Sequence, residues 1–297
     1  MSNSTNNLYL SNFACFMAML MWSVGFPAGE VLLESWGTLS LVFIRLLLGV
    51  SILYITWISM EGLKTLNNPY WLYGLIIGGI GWGFGAVLLL LGQKFSDAVT
   101  PSICAAMMPI FGAILEIIFD KRKIKINLII GIFLAVFGGY LATGMKLDEA
   151  GFGLGTLICI IAVILFAWCT RETTKGLKNL SSLGQTTMTF TGSLICVAFI
   201  FSFSYLFDFG EVDIGILDQY HIVLLLIFAF VSISFSQYLW LWGARRLGIL
   251  LASFHSNLVP FYVMIIMVIL FNDNWIWMQA LGAFLVGLGV IISQYKN

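Results

Sequence analysis

Charge is what this chain has least of. Only 9% of its 297 residues are Asp, Glu, Lys or Arg, whereas a soluble domain carries about 25%. So few charged side chains cannot cover a water-facing surface, which excludes an ordinary soluble globular protein. The basic residues also form no extended patch, and the sequence therefore predicts no nucleic-acid partner.

Histidine and metal-ligand motifs are scarce as well. The two histidines, His221 and His255, lie far apart in the sequence, and the five cysteines lie inside apolar runs without CxxC spacing. We interpret the cysteines as small hydrophobic residues and predict no metal, cofactor or catalytic residue. The Walker sequence GxxxxGK[ST] is missing too, which argues against a pump driven by ATP.

Apolar side chains are abundant instead, at 60% of the chain with a mean hydropathy of +1.01. A membrane-spanning helix needs roughly 20 mostly apolar residues. Such runs occur at 10–28, 38–60, 70–91, 98–119, 126–144, 152–171, 184–206, 222–244, 249–271 and 275–294. The predicted fold is therefore an all-α polytopic membrane protein with about ten transmembrane helices joined by short loops.

The basic residues predict the orientation of these helices. Eleven of the fourteen fall on the side of the two termini, Lys94 and Lys146 fall on the opposite side, and Arg45 lies inside a predicted span. Loops rich in Lys and Arg stay in the cytoplasm. We therefore predict a multi-pass protein of a bacterial cytoplasmic (inner) membrane with both termini cytoplasmic.

The chain also contains an internal repeat. A shift of 151 positions superposes Pro109 on Pro260, and several glycines likewise fall on glycines. The repeat predicts two halves, 1–146 and 147–297, with five spans each. An odd number of spans forces the halves into opposite orientations, and inverted repeats are typical of transporters that alternate access to a site near the bilayer midplane.

Three stretches point to a family. They are Trp22-Ser-Val-Gly-Phe, the segment Phe-Ile-Arg-Leu-Leu-Leu-Gly around Arg45, and Tyr238–Asp273. With the ten predicted spans and the duplication, the whole chain resembles the EamA branch of the drug/metabolite transporter superfamily. This resemblance implies a basket of two inverted five-helix halves and export of amino acids or other metabolites. It also implies a central cavity, walled mainly by predicted spans one, three, four, six, eight and nine.

Candidate binding residues come from polar or small stripes and from deep aromatic residues. Stripes at helical spacing mark the fourth and ninth predicted spans, where they either line water or pack closely. A proline within each stripe is expected to remove a backbone hydrogen bond in mid-span, which suits a gate or site. The aromatic residues either stack on an apolar or cationic substrate group or pack in the core. The predicted substrate-binding residues are Trp22, Trp82, Pro109, Tyr238, Asn257 and Pro260.

Three ionisable residues within the spans have alternative interpretations. Glu116 lies on the inward stripe near the cytoplasmic end, and it either couples or gates transport or pairs with the nearby basic cluster. By depth, Arg45 lies on the order of 15 Å from Glu116, so we expect no contact between them. We expect Arg45 to bind helix carbonyls rather than a substrate carboxylate, and His255 to be a packed neutral histidine that points away from the polar stripe.

The leading functional hypothesis is a secondary transporter that exports amino acids, especially aromatic or hydrophobic ones. One alternative is an importer or exchanger of a nucleoside-like metabolite such as S-adenosylmethionine. Another is a multispan membrane enzyme, which the separation of His221 from His255 disfavours. The predicted partners are a small-molecule substrate and the lipid bilayer. Small-residue faces, such as Gly131 with Gly138 against Gly282 with Gly289, predict helix packing or a homodimer.

The predicted orientation can be tested by labelling. In a cysteine-free background, a cysteine at position 213 should react with an impermeant maleimide added to intact cells, because that loop is predicted to be external. A cysteine at position 297 should stay unlabelled until the cells are opened. Labelling of position 297 from outside would show that the predicted orientation is wrong.

Overall fold

The described part of the chain is helical. The computed structural model describes residues 2–121, 126–142, 153–247, 252 and 254–294, and no β-strand occurs in these ranges. Lipid offers no water to the backbone, so a spanning segment must satisfy its N–H and C=O groups within its own helix. The α-helices are α1 (Ser2–Ser23), α2 (Gly25–Leu33), α3 (Thr38–Glu61), α4 (Trp71–Ile77), α5 (Gly85–Lys94), α6 (Val99–Ala106), α7 (Met108–Asp120), α8 (Ile126–Ala142), α9 (Leu154–Gly176), α10 (Ser182–Phe207), α11 (Gln219–Leu226), α12 (Ser236–Leu247), α13 (Val259–Phe271) and α14 (Trp277–Gln294).

The lengths of these helices suit a bilayer. In the described residues, six continuous stretches are long and apolar enough to cross a membrane, and α6 with α7 forms a seventh that is bent by 40°. The six are Tyr9–Leu33, Thr38–Glu61, Trp71–Lys94, Leu154–Gly176, Ser182–Phe207 and Gln219–Leu247. Helices α8, α13 and α14 are apolar but shorter. The chain is an integral membrane protein, whereas the count of ten spans stays a prediction.

Two helices begin next to a proline. Pro109 lies in the first turn of α7, and Pro260 lies in the first turn of α13, after the 3₁₀ turn Phe254–Leu258. A proline in a first turn costs no intrahelical hydrogen bond, because an N–H there has no partner within the helix. The expectation was a proline that interrupts the hydrogen bonding in mid-span; Pro109 lies directly after the break between α6 and α7, which together form one bent span, and Pro260 likewise lies in the first turn of a new helix.

Two π-helical segments interrupt longer helices. Segment π1 (Gly78–Phe84) joins α4 to α5, and segment π2 (Ile227–Phe235) joins α11 to α12. π-Helical turns are rare in proteins, and those that occur often lie at functional sites. The shift of 151 positions carries π1 into π2, so the same interruption occurs in both halves of the sequence.

Other details also recur at this offset. The left-handed residues that end α7 and α13, Lys121 (φ 55°) and Asn272 (φ 54°), are 151 positions apart. Helix α1 packs on α12, and their counterparts α9 and α5 pack on each other. Helices α8 and α14, also counterparts, form another pair. In all three pairs a helix from the first half of the sequence packs on a helix from the second half.

Helices α8 and α14 meet through small residues. A Cβ added to Gly138 would lie 2.7 Å from the carbonyl oxygen of Gly282, and one added to Gly289 would lie 2.5 Å from the carbonyl oxygen of Gly131. Only glycine allows this approach of the two backbones. These faces are therefore used for packing within one chain, and the homodimer stays a prediction.

The apolar side chains form two cores that lie side by side. One core contains Ala18, Ile103 and Val259, and the other contains Leu41 and Met188. The indole of Trp82 in π1 packs against both cores. Trp82 therefore lies where the two cores meet, and each core contains residues of both halves of the sequence.

One carboxylate connects three elements at one end of the helices, which we call the Glu211 end. Glu211 Oε2 accepts a hydrogen bond of 2.9 Å from the backbone N of Thr38, the first residue of α3, and Oε1 lies 2.5 Å from Lys94 Nζ at the end of α5. Burial alone would raise the pKa of Glu211, but the hydrogen bonds from Lys94 and Thr38 outweigh burial and lower it. The loop after α10 is thereby tied to α3 and α5.

Replacing this carboxylate should weaken the connection. We expect Glu211→Gln to lower the free energy of unfolding of the purified protein at neutral pH by up to about 1 kcal/mol, because the amide keeps an acceptor for the N–H of Thr38 but loses the charge that pairs with Lys94. Because the folded-state pKa is lowered, the difference from wild type should vanish as the pH falls through that value. The control is Glu34→Gln, an exposed residue near the same end, and an equal loss in both variants would contradict the prediction.

Candidate functional site

A cavity of about 180 Å³ lies between the two cores. Its wall includes residues of α1, α2, α3, α5, α7, α9, α10, α12 and both π segments. The lining is mostly apolar, with scattered hydroxyl and amide groups and four ionisable side chains. These four are Arg45, Glu116, Arg171 and Lys175.

The cavity is closed toward the Glu211 end. Gln93 and Phe26 are each only 4% exposed, and Gln93 Nε2 donates a hydrogen bond of 2.6 Å to the carbonyl oxygen of Phe26. This bond joins α5 to α2 across the end of the cavity. Beyond it lies the ion pair of Lys94 with Glu211. Two successive polar contacts therefore separate the cavity from that surface.

The cavity opens at the opposite end, which we call the Glu116 end. Glu116 of α7 and Lys175 of α9 line the cavity there and are exposed. Arg171 lies one turn before Lys175, pairs with Glu172 and stands 5.0 Å over the ring of Phe119. The mouth is thus rich in charge, whereas the closed end is sealed by an uncharged hydrogen bond.

Aromatic side chains form the middle of the cavity wall. Trp82 lies 4.8 Å from Phe166 and 5.8 Å from Phe190, and Trp22 lies 5.2 Å from Phe26, all between ring centroids. All five of these residues line the cavity. Of the residues predicted from sequence, the structure thus brings together Trp22 and Trp82, along with Pro109 and Glu116.

The other predicted residues lie outside this lining. Tyr238 borders a separate surface pocket with Glu61 and Arg245. Asn257 is 9% exposed and faces Gly287 of α14, while its neighbour Ser256 lines the cavity. Pro260 is buried without lining the cavity either. For Tyr238, Asn257 and Pro260, a role in substrate binding stays a prediction.

His255 also lies away from the cavity. Its Nε2 is 3.2 Å from Asn12 Oδ1, so the ring joins the 3₁₀ turn before α13 to α1. The expectation of a packed histidine that points away from the polar stripe agrees with this contact. His221 pairs with Asp218 at the start of α11. Neither histidine belongs to a metal-binding cluster, and no group of three potential metal ligands occurs among the described residues.

Arg45 departs from its expected role. Its guanidinium carbon lies 4.0 Å from the centroid of the Phe228 ring, and the residue lines the cavity. In the described part of the chain no carbonyl or carboxylate accepts a hydrogen bond from it, and Nε is buried without a partner. The expectation that Arg45 binds helix carbonyls was therefore wrong.

Ser193 and Gln237 are among the polar cavity residues that were not predicted from the sequence. The hydroxyl of Ser193 in α10 and the amide nitrogen of Gln237 in α12 are buried, and neither has a hydrogen-bond partner among the described residues. Both lie in predicted spans, so a polar side chain inside an apolar run was the available signal. Helix α10 was not among the helices that the family resemblance implied for the cavity.

Known proteins resemble this chain in both sequence and fold. The sequence model of the EamA-like transporter family matches residues 10–144 and again residues 153–295. An uncharacterized transporter of Bacillus subtilis (strain 168), YyaM, is 26% identical over 257 residues, which cover 83% of this chain and 81% of that protein.

A solved structure described only as the crystal structure of a protein superposes with a TM-score of 0.69 at 14% identity, over 95% of this chain and 96% of the other. This likeness shows a shared fold. The family and the transporter name of the relative point to transport of small molecules rather than to an enzyme. With two matches that together cover most of its length, this chain belongs to the EamA-like transporter family.

Proposed function

We propose that the protein is a secondary transporter that exports amino acids, especially aromatic or hydrophobic ones, by alternating access. The observation that carries the proposal is the cavity between the two cores, which is open at the Glu116 end and closed at the Glu211 end. A pathway open to one side only is what one state of an alternating-access cycle requires.

In this proposal the two halves are 1–146 and 147–297, with five spans each and opposite orientations. The structural details that recur 151 positions apart support this arrangement. The proposed boundary lies outside the described residues. With both termini in the cytoplasm of a bacterium, the open mouth beside Glu116 faces the cytoplasm, and the structure corresponds to an inward-open state.

The wall of the cavity supports the proposed substrates. Its aromatic rings favour an apolar or aromatic group. Arg171 pairs with Glu172, and of the other three ionisable residues in the lining two are basic, Arg45 and Lys175, and one is acidic, Glu116. S-Adenosylmethionine carries a net positive charge, so this excess of basic residues speaks against it. Amino acids carry a carboxylate and no net charge, and they fit the cavity better.

The first test is transport in proteoliposomes with a panel of amino acids and nucleosides. We expect uptake or counterflow of aromatic amino acids, and Trp82→Leu should raise the KM about 3- to 10-fold, since an aromatic contact contributes about 0.5–1.5 kcal/mol. The control is Trp277→Leu, because Trp277 is 79% exposed and lies outside the cavity. Transport of nucleosides alone, or an equal effect of both variants, would contradict the proposal.

Asn257→Leu belongs in the same assay. Asn257 was predicted to contact the substrate, and this contact requires a conformation in which the 3₁₀ turn before α13 turns another face to the cavity. Loss of transport by a folded Asn257→Leu variant would support such a conformation. Unchanged kinetics would limit the site to the residues that line the cavity now.

We further propose that Glu116 couples transport to protons or gates the mouth. A carboxylate that alternates between a wetter and a drier site changes its proton affinity, because burial favours the neutral form. Glu116→Gln should then abolish accumulation driven by a pH gradient and spare substrate exchange. The control is Glu172→Gln, at the same end of the helices but outside the cavity. Equal retention of both activities by Glu116→Gln would exclude coupling.

A further inference from the structure

The cavity contains an arginine, Arg45, that has no acidic partner among the described residues. The structure describes four arginines, and three of them donate hydrogen bonds: Arg171 to Glu172, Arg245 to the carbonyl oxygen of Leu180, and Arg246 to that of Trp242. Arg45 donates none in the described part of the chain, and its contact is with the ring of Phe228. A guanidinium stays protonated in a protein, so a positive charge remains at this site.

The position of Arg45 inside a span makes the missing hydrogen bonds of its guanidinium costly. It is the eighth residue of α3 and therefore lies about 10 Å from the Glu211 end at 1.5 Å per residue. A charged side chain inside a span is expensive and, by default, indicates a function. The ring of Phe228 covers one face of the guanidinium, but it supplies no hydrogen-bond acceptor for the N–H groups.

Among the described residues, the buried cavity-lining atoms without a partner are all able to donate. Besides Arg45 Nε, they are the amide nitrogen of Gln237 and the hydroxyl of the fully buried Ser193. Buried donors without partners are rare in native proteins, and a ligand is one cause. Three donors around one space call for a ligand that is rich in acceptors. A carboxylate offers two oxygens that match the N–H groups of a guanidinium.

We propose that Arg45 binds the carboxylate of the transported metabolite, with Gln237 and Ser193 as further donors to the bound ligand. This proposal rests on the proposed function and defines its substrate class as organic carboxylates. The apolar part of the ligand packs against Trp22 and Trp82. The ammonium group of an amino acid is not required for binding at Arg45, because a donor-rich site does not select for it.

Binding to the purified full chain tests the proposal without any need for transport. The probes are 3-phenylpropionate, L-phenylalanine, phenethylamine and sodium chloride, with quenching of tryptophan fluorescence as the readout. We expect both carboxylates to bind and phenethylamine, which lacks a carboxylate, to bind at least 10-fold more weakly. Chloride should not compete at equal concentration. Roughly a 10- to 100-fold loss of carboxylate affinity is expected for Arg45→Gln, since a hydrogen-bonded charge is removed.

Arg246→Gln is the matched control. Arg246 also stacks on an aromatic ring, with its guanidinium carbon 3.7 Å from the centroid of Trp242, but it is exposed and lies outside the cavity. This variant should bind both carboxylates like wild type. If Arg45→Gln does not fold, Arg45→Lys retains a charge without the planar fork and should show a smaller loss of affinity.

The outcomes separate this proposal from the proposed function. Three results would overturn the role of Arg45: no binding of carboxylates to wild type at millimolar concentration, equal carboxylate affinity in the Arg45 variants and wild type, or equal competition by chloride. The last two are compatible with amino-acid transport in proteoliposomes through other contacts, whereas the first would also contradict the export of amino acids. Conversely, carboxylate binding that depends on Arg45, without any flux, would support the site and contradict the transporter.

Discussion

Close contact between backbones is the constraint on which the rest of the structure depends. The strip formed by α4, π1 and α5 lies directly against α9 and α10, and side chains at Gly78, Gly81 or Gly85 would overlap Thr189, Cys169 or Phe166. Lipid provides little hydrophobic drive to bring helices together, so such fitted surfaces hold a membrane protein in shape. With this strip fixed, the indole of Trp82 and the polar residues of α9 border the same space.

The sequence predicted much of this arrangement because lipid leaves few choices. Apolar length and small-residue spacing were sufficient to place most helices and the glycine faces, and Trp22, Trp82 and Glu116 indeed border the cavity. The prediction was weaker where the helix changes its period. The directions of the side chains near Asn257 were predicted for an α-helix, in which each residue turns 100°. Residues 254–258 form a 3₁₀ turn instead, in which each residue turns about 120°. Ser256 consequently faces the cavity and Asn257 faces α14.

The position of Arg45 shows a second limit of sequence reasoning. Its depth in α3 was predictable from the chain, but its partner was not. Phe228 lies in π2, where the wider helical turn changes the direction of every later side chain. No apolar periodicity in that stretch indicates such a turn. Arg45 is a charged side chain in a mostly apolar wall, so it breaks the usual rule of burial on which sequence patterns rely. Such exceptions concentrate at functional sites.

The offset of 151 positions has a further consequence. Trp82 has Ile233 as its counterpart, and both line the cavity, so the two halves contribute similar apolar surfaces. The ionisable residues are not matched in this way: Arg45 has Cys196 as its counterpart, and Glu116 has Met267. If the two halves exchange conformations, as proposed, the environments of Arg45 and Glu116 change without any compensating charge at the counterpart positions. The two end states then differ in free energy even without ligand, and the carrier has a preferred resting side that its own side chains determine.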